Sequence, residues 1–271
     1  QQRNFNFSYM FQYNDINIYE KGNRAYNTTY KYHLAEFGFS DVWYKNFRFG
    51  LGLRFEYYKY KDFLFKQPEL IDLKVESEHF LSYFAQIHYN TYDKGYFPAK
   101  GSDFKAAYSL YTDNMAQYNE HAPFSALSAS WASVLPITRR FSVIPSIYGR
   151  ILIGRNFPYP LQNAIGGEVP GFYIPQQLPF AGVNNIELMD NAIMIASLKL
   201  RQRMGAIHYL ILTGNYGLTD SHFFKILKGK QLFGISAGYG MDSVFGPLEI
   251  SLGYSNQTDK ASCFVNLGYY F

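Results

Sequence analysis

The chain has 271 residues, a net charge of +4, 20% aromatic residues and one cysteine, Cys263. A single cysteine excludes a disulfide framework or a multi-cysteine metal site, and basic residues scattered along the chain argue against nucleic acid as a partner. No stretch approaches the roughly 20 consecutive apolar residues of a transmembrane helix.

Apolar residues make up 48% of the chain, yet mean hydropathy is slightly negative. That combination suits strands with one lipid-facing and one lumen-facing side. A length of 271 residues fits one all-β domain. No signal peptide stands before Gln1, so the expectation is either a processed N-terminus or a domain from a longer chain.

Period-two alternation is the main signal. Phe47, Phe49, Leu51, Leu53, Phe55 and Tyr57 alternate with Arg48, Gly50, Gly52, Arg54 and Glu56. Leu248, Ile250, Leu252 and Tyr254 alternate with Glu249, Ser251, Gly253 and Ser255, and the last strand sets Cys263, Val265, Leu267, Tyr269 and Phe271 on one face. A soluble sandwich also alternates, but its outer faces would carry fewer aromatics. Strands are expected to start near Asn4, Asn27, Phe47, Glu76, Ser102, Phe124, Phe141, Asn191, Ile207, Gln231, Pro247 and Ala261, about twelve in all. Tyr30, Tyr32 and Leu34 fall out of phase with Phe37 and Phe39, which suggests a bulge near Glu36.

Short connections (41–46, 93–101, 136–140, 204–206, 244–246) alternate with mostly longer ones (14–26, 62–75, 113–123, 155–190, 218–230, 256–260). Outer-membrane barrels have short periplasmic turns and longer outside loops, so both termini are expected on the periplasmic side of an antiparallel up-and-down barrel. The lumen would then receive Arg48, Arg54, Glu56, Gln86, His88, Lys105, Arg150, Lys199, Arg201, Arg203, Asp242 and Glu249, as a mutually paired interior or an anion-preferring path. Tyr57, Tyr58, Tyr60, Tyr92, Tyr96, Tyr269 and Tyr270 fit interfacial aromatic belts. The connection from Arg155 to Asp190 stands apart, with five prolines (Pro158, Pro160, Pro170, Pro175, Pro179) and no alternation. A connection this long is usually functional, and the expectation is a loop folded into the lumen.

Catalytic signals are weak. Gly234, Ser236 and Gly238 match G-x-S-x-G, but alternation runs straight through them, whereas a nucleophile elbow needs a sharp strand-to-helix turn. The six histidines show no metal-ligand spacing. No catalytic set, cofactor or metal is expected.

Three segments together resemble the BamA-like bacterial surface-antigen superfamily of outer-membrane barrels: Tyr92–Leu110 with its D-x-G-x-F-P-x-x-G pattern, Ile165–Phe172 (IGGEVPGF) followed by Ala192–Leu200, and Phe245–Ser255 leading to Phe271. The central wording, from Gly166 to Tyr216, is similar to the barrel domain of patatin-like outer-membrane proteins. That resemblance implies a single barrel domain over 1–271, an inner-loop motif at Gly166, Gly167, Val169, Pro170, Gly171 and Phe172, lumen partners at Lys199, Arg201 and Asn215, and an assembly signal in Val265, Leu267, Gly268, Tyr269 and Phe271. It implies the outer-membrane lipid bilayer and assembly machinery as partners, with an N-terminal passenger, such as a phospholipase domain, upstream of Gln1. Family barrels usually carry sixteen strands. The family's inner-loop arginine is Pro170 here, and its carboxylate partners are Lys199 and Asn215. The loop is therefore expected to be held by packing and backbone hydrogen bonds rather than by an ion pair. The implied function is a non-catalytic membrane anchor or translocator; a passive channel and an insertase of the BamA type are the alternatives.

Overall fold

A computed structural model describes residues 3–65 and 77–268, with one 15-stranded sheet. In chain order the strands are β1 (Arg3–Glu20), β2 (Asn23–Tyr44), β3 (Phe47–Phe65), β4 (Glu78–Asn90), β5 (Gly101–Tyr111), β6 (Phe124–Pro136), β7 (Phe141–Ile153), β8 (Asn163–Gly166), β9 (Gln177–Leu178), β10 (Ile186–Asp190), β11 (Ala192–Arg203), β12 (His208–Asp220), β13 (Lys230–Ser243), β14 (Gly246–Ser255) and β15 (Lys260–Leu267). Apart from β8, β9 and β10, each strand pairs antiparallel with the next, and β7 passes directly to β11. The expected architecture, all-β and antiparallel, is present. The count is fifteen rather than about twelve because the segment between β7 and β11 carries three short strands of its own. They were invisible to alternation because β8 is buried on both faces and β9 is only two residues long.

Side chains sort by parity. On β12, Tyr209, Ile211, Asn215 and Thr219 are buried, while Leu210, Leu212 and Tyr216 are exposed. The buried parity faces the 155–190 segment and forms the inner face of the sheet. Outward positions are apolar and open: Ile235 is 64% exposed, and Phe233, Leu252 and Val265 are similar. Polar groups such as Glu56, Asn215 and Asn266 are buried inside. This inverts the arrangement of a water-soluble protein and is the arrangement a lipid environment demands.

The first and last strands of the antiparallel meander, β1 and β15, share no ladder among the described residues; the sheet order runs from β15 to β1 and on through β10 and β8 to β9. Instead Ile18 of β1 pairs in parallel with Ile186 of β10. At the long-loop end, Lys260 at the start of β15 reaches the Gly22 carbonyl at 3.2 Å and Asn23 at 2.8 Å, in the β1–β2 turn.

Several sequence expectations change. The 14–26 connection is not a long loop but a turn at Lys21 and Gly22, both at positive φ (49° and 73°). A two-residue hairpin loop of type I′ needs positive φ at both positions, and Gly22 supplies one of them freely. No bulge occurs near Glu36; register shifts fall at Ile18/Tyr19, Asn27/Thr29 and Val42/Tyr44. The phase conflict disappears because Tyr30 and Tyr32 face inward while Phe37 and Phe39 face outward. Tyr58 likewise leaves the expected interfacial belt: it is fully buried on the inner face beside Tyr30 and Tyr32. Most of the expected 62–75 loop, and Tyr269, Tyr270 and Phe271, lie outside the described residues.

Candidate functional site

The segment from Gly154 to Asn191 packs against the inner faces of both halves of the sheet. Leu161, Ala164, Ile174 and Ile186 join Tyr30, Tyr32, Tyr58 and Phe80 of β2, β3 and β4. On the opposite side, Ile165, Phe180 and Val183 join Ile193, Ile195 and Leu232 of β11 and β13. Each fully buried large apolar side chain contributes about 1.5–3 kcal/mol, against about 1 kcal/mol for a typical hydrogen bond. Packing is therefore the dominant attachment, and hydrogen bonds fix the register.

Those hydrogen bonds come from inward residues of the wall. Arg150 donates to the Leu161 carbonyl at 2.7 Å and to the Asn163 amide oxygen, while Asn163 returns bonds to the Arg150 and Asn191 carbonyls at 2.8 Å each. The Tyr148 hydroxyl donates to the Pro179 carbonyl at 2.8 Å, and Asn215 accepts the Ala181 backbone N–H at 2.8 Å. Gln176 donates to the Tyr58 hydroxyl at 2.6 Å. Tyr58, Tyr32 and Tyr111 in turn donate to Glu56, which is 3% exposed, at 2.9 to 3.0 Å. Prolines offer no backbone donor, so Pro179 enters the sheet interior with only a carbonyl to satisfy, and Tyr148 satisfies it.

The motif residues occupy different places. Gly166 ends β8 and Gly167 turns at φ 62° against Phe264. Val169 is buried, and its carbonyl accepts from Gln177 at 3.0 Å. Pro170 is exposed, Gly171 turns at φ 69°, and Phe172 packs edge-on against Tyr173 and Phe264. Of the three wall positions, Asn215 touches the segment directly. Lys199 instead borders a small polar cleft with Glu168, Ser236 and Glu249. Sequence reasoning passed over Glu168, which accepts a 3.2 Å hydrogen bond from Ser236. The loop thus presents a carboxylate to a wall that carries a lysine.

The glycines around Ser236 also find their reason. A Cβ on Gly234 would lie 2.2 Å from the Ala181 carbonyl oxygen, and one on Gly253 would lie 2.7 Å from the Gly182 backbone. Missing side chains in β13 and β14 let the segment's backbone lie directly on the wall. The G-x-S-x-G pattern is a seat for that backbone, and Ser236 is an inward strand residue.

Arg201 serves the opposite end of the sheet. It donates to the Pro98 carbonyl and lies 5.6 Å over the Tyr209 ring, while Phe97 stacks on Tyr209 at 4.5 Å. Lys94 reaches Asp242 at 2.8 Å. The turn from Tyr92 to Lys100, carried by β4 and β5, therefore attaches to β11, β12 and β13. Tyr96 packs into this cluster rather than into an interfacial belt. Arg54 pairs with Glu36 at 2.8 Å, and a His88 ring nitrogen hydrogen-bonds Asp103 at 2.6 Å.

At the long-loop end, the Glu187 carboxylate accepts the Gly22 N–H at 2.6 Å. Burial pushes its pKa above the ordinary value, opposed by the Gly22 hydrogen bond and by Lys230 and Lys260. Among the described residues no group of three or more His, Cys, Asp or Glu side chains could hold a metal ion.

The family model described as the OMP85 superfamily matches residues 1–271. The chain belongs to the OMP85 superfamily. Its place is the bacterial outer membrane, in keeping with the apolar outward face. No curated protein sequence matches this OMP85 chain. Among solved structures it is similar to BamA from Haemophilus ducreyi lacking POTRA domains 1–3, with TM-score 0.67 and 13% identity over 93% of this chain and 56% of that one. It is also similar to CdiB from Escherichia coli, with TM-score 0.60 and 14% identity over 93% of this chain and 46% of that one. The OMP85 chain thus spans about half the length of the solved proteins it matches, and at these identities the likeness concerns the fold.

Proposed function

We propose that the chain is the membrane-embedded, non-catalytic barrel portion of an OMP85 surface protein, acting as an anchor or translocator, with the 155–190 segment as its lumen plug. One observation carries this reading: the segment packs its apolar side chains on both halves of the sheet and hydrogen-bonds to inward residues of β3, β7 and β12. The short-turn end is periplasmic and the long-loop end external. The outward apolar side chains contact the lipid bilayer, and β15, with Val265 and Leu267 outward and Gly268 following, is the strand recognised by the assembly machinery. A patatin-like passenger upstream of Gln1 rests on the wording of the central segment alone.

Planar-bilayer recording tests the plug. The intact protein is expected to be nearly silent, and deletion of 164–181 is expected to give steady conductance once heat-modifiable gel mobility shows that the deleted protein is folded. Large steady conductance from the intact protein, or silence from a folded deletion, counts against a plug.

Membrane-protein insertion is the second reading, favoured by the first half of β1, which among the described residues pairs with β2 alone and leaves its other edge open. Faster folding of another outer-membrane barrel in liposomes that contain this protein would support it. Pro170, Lys199 and Asn215, in place of the charge set that the resemblance implies for this superfamily, count against it.

A further inference from the structure

Between β12 and β13 the chain makes a short 3-10 helix, Phe223–Lys228. Unlike the 155–190 segment, it lies on the outward face. Its Ile226, 4% exposed, packs with Ile151, Ala192, Met194 and Leu218 of β7, β11 and β12. These four alternate with Arg150, Ile193 and Thr219, which point inward, so all four are outward positions. The helix is therefore pinned to the wall surface that faces lipid.

The rest of the helix fits that location. Phe224 and Leu227 are 92% and 79% exposed, an arrangement disfavoured in water and normal against acyl chains. Nearby on the same outward surface, Tyr216 and Phe233 form a ring pair at 5.1 Å, as in an interfacial aromatic girdle. Lys225 and Lys228 occupy the last turn, and among the described residues neither has an ion-pair partner. The neighbouring carboxylate, Asp220, accepts the His222 backbone N–H. Lysines beside exposed apolar residues at a membrane rim extend their ammonium groups to headgroup phosphates.

We propose that Phe223–Lys228 is a lipid-binding element of the outer leaflet, with Phe224 and Leu227 among acyl chains and Lys225 and Lys228 on the phosphates of a phosphorylated glycolipid. This rests on the orientation given under Proposed function, in which the long-loop end is external.

The test uses the full chain in a Cys263→Ser background. An environment-sensitive dye on Phe224→Cys, in vesicles of phosphatidylcholine plus a diphosphorylated glycolipid, is expected to emit as in an apolar medium and to be quenched by brominated acyl chains. Glycolipid retained through detergent purification is expected to fall by about fivefold per lysine removed in Lys225→Ala and Lys228→Ala, and inorganic phosphate should compete poorly. Water-like emission, unchanged retention in the double variant, or equal displacement by inorganic phosphate overturns the proposal. Labelling of Gln117→Cys on whole cells with a membrane-impermeant maleimide separates the two readings. No labelling overturns the orientation, and with it the outer-leaflet assignment. Labelled cells with water-like dye emission overturn the lipid-binding element alone.

Discussion

Gln176 donates to the Tyr58 hydroxyl at 2.6 Å across 118 positions of sequence, joining the inner segment to the sheet wall. Tyr58 donates onward to Glu56, whose carboxylate also takes the Tyr32 and Tyr111 hydroxyls. A buried carboxylate with three hydroxyl donors is a satisfied acceptor, and each bond to a charged group is worth more than a neutral one. The segment therefore docks on a polar node inside an aromatic cluster, which fixes where Gln176 must sit.

Tyr58→Phe removes one donor to Glu56 and the acceptor for Gln176. Stability should fall by about 1–3 kcal/mol, read as a lower urea midpoint for the heat-modifiable band. Glu56→Ala should fall further than Tyr58→Phe, because it strands three hydroxyls at once. Equal midpoints for wild type and Tyr58→Phe would show that the node contributes nothing.

Gly182 sits at φ 77°, and a Cβ there would lie 2.3 Å from backbone atoms of Tyr254. Relief requires the segment to lift from β14, so Gly182→Ala should destabilise by more than the roughly 1 kcal/mol of a left-handed alanine alone. In planar bilayers the same variant should open more often than wild type. A silent, fully stable Gly182→Ala protein would contradict the close seating.

The Lys94–Asp242 pair is substantially exposed and worth at most about 1 kcal/mol. Phe97 burial and the Arg201 bond to Pro98 should therefore hold the Tyr92–Lys100 turn. Arg201→Ala is expected to make Lys94 and Lys100 cleavable by trypsin in detergent-solubilised protein, with Asp242→Asn much less affected. Equal cleavage in both variants, or in neither, would contradict that ranking.

Glu187 has a pKa raised above its ordinary value of 4.5. Between 4.5 and the raised value the folded protein holds more protons than the unfolded chain, so stability falls as pH rises through that window and is flat above it. Glu187→Gln keeps an acceptor for Gly22 and removes the ionisation. Its stability should vary less than wild type from pH 4.5 upward, and at pH 7 it should match or exceed wild type in a urea titration.

The legible part of the fold was the wall. From Phe47 onward the strands of the antiparallel meander start within two residues of their expected positions, because a lipid-facing side and an inward side impose a period of two on the sequence. The same rule misled at Tyr30, Tyr32 and Tyr58, since it treats aromatic residues as outward. The Tyr32, Tyr58 and Tyr111 hydroxyls meet at Glu56 only when β2, β3 and β5 are brought together. The Lys21–Gly22 turn was missed because polar residues from Asn14 to Tyr26 read as loop, although they extend β1 and β2.

Sequence alone determined the all-β, alternating architecture, the outward apolar face and the exceptional character of 155–190, since strand period and proline content are local properties. Tertiary structure decided what that segment touches and how. Gln176 on Tyr58, Asn215 on Ala181 and Glu168 beside Lys199 depend on contacts between distant strands that no local pattern encodes. It also decided that Ile226 lies on the outward wall, because burial of one side chain among three strands is a property of their packing.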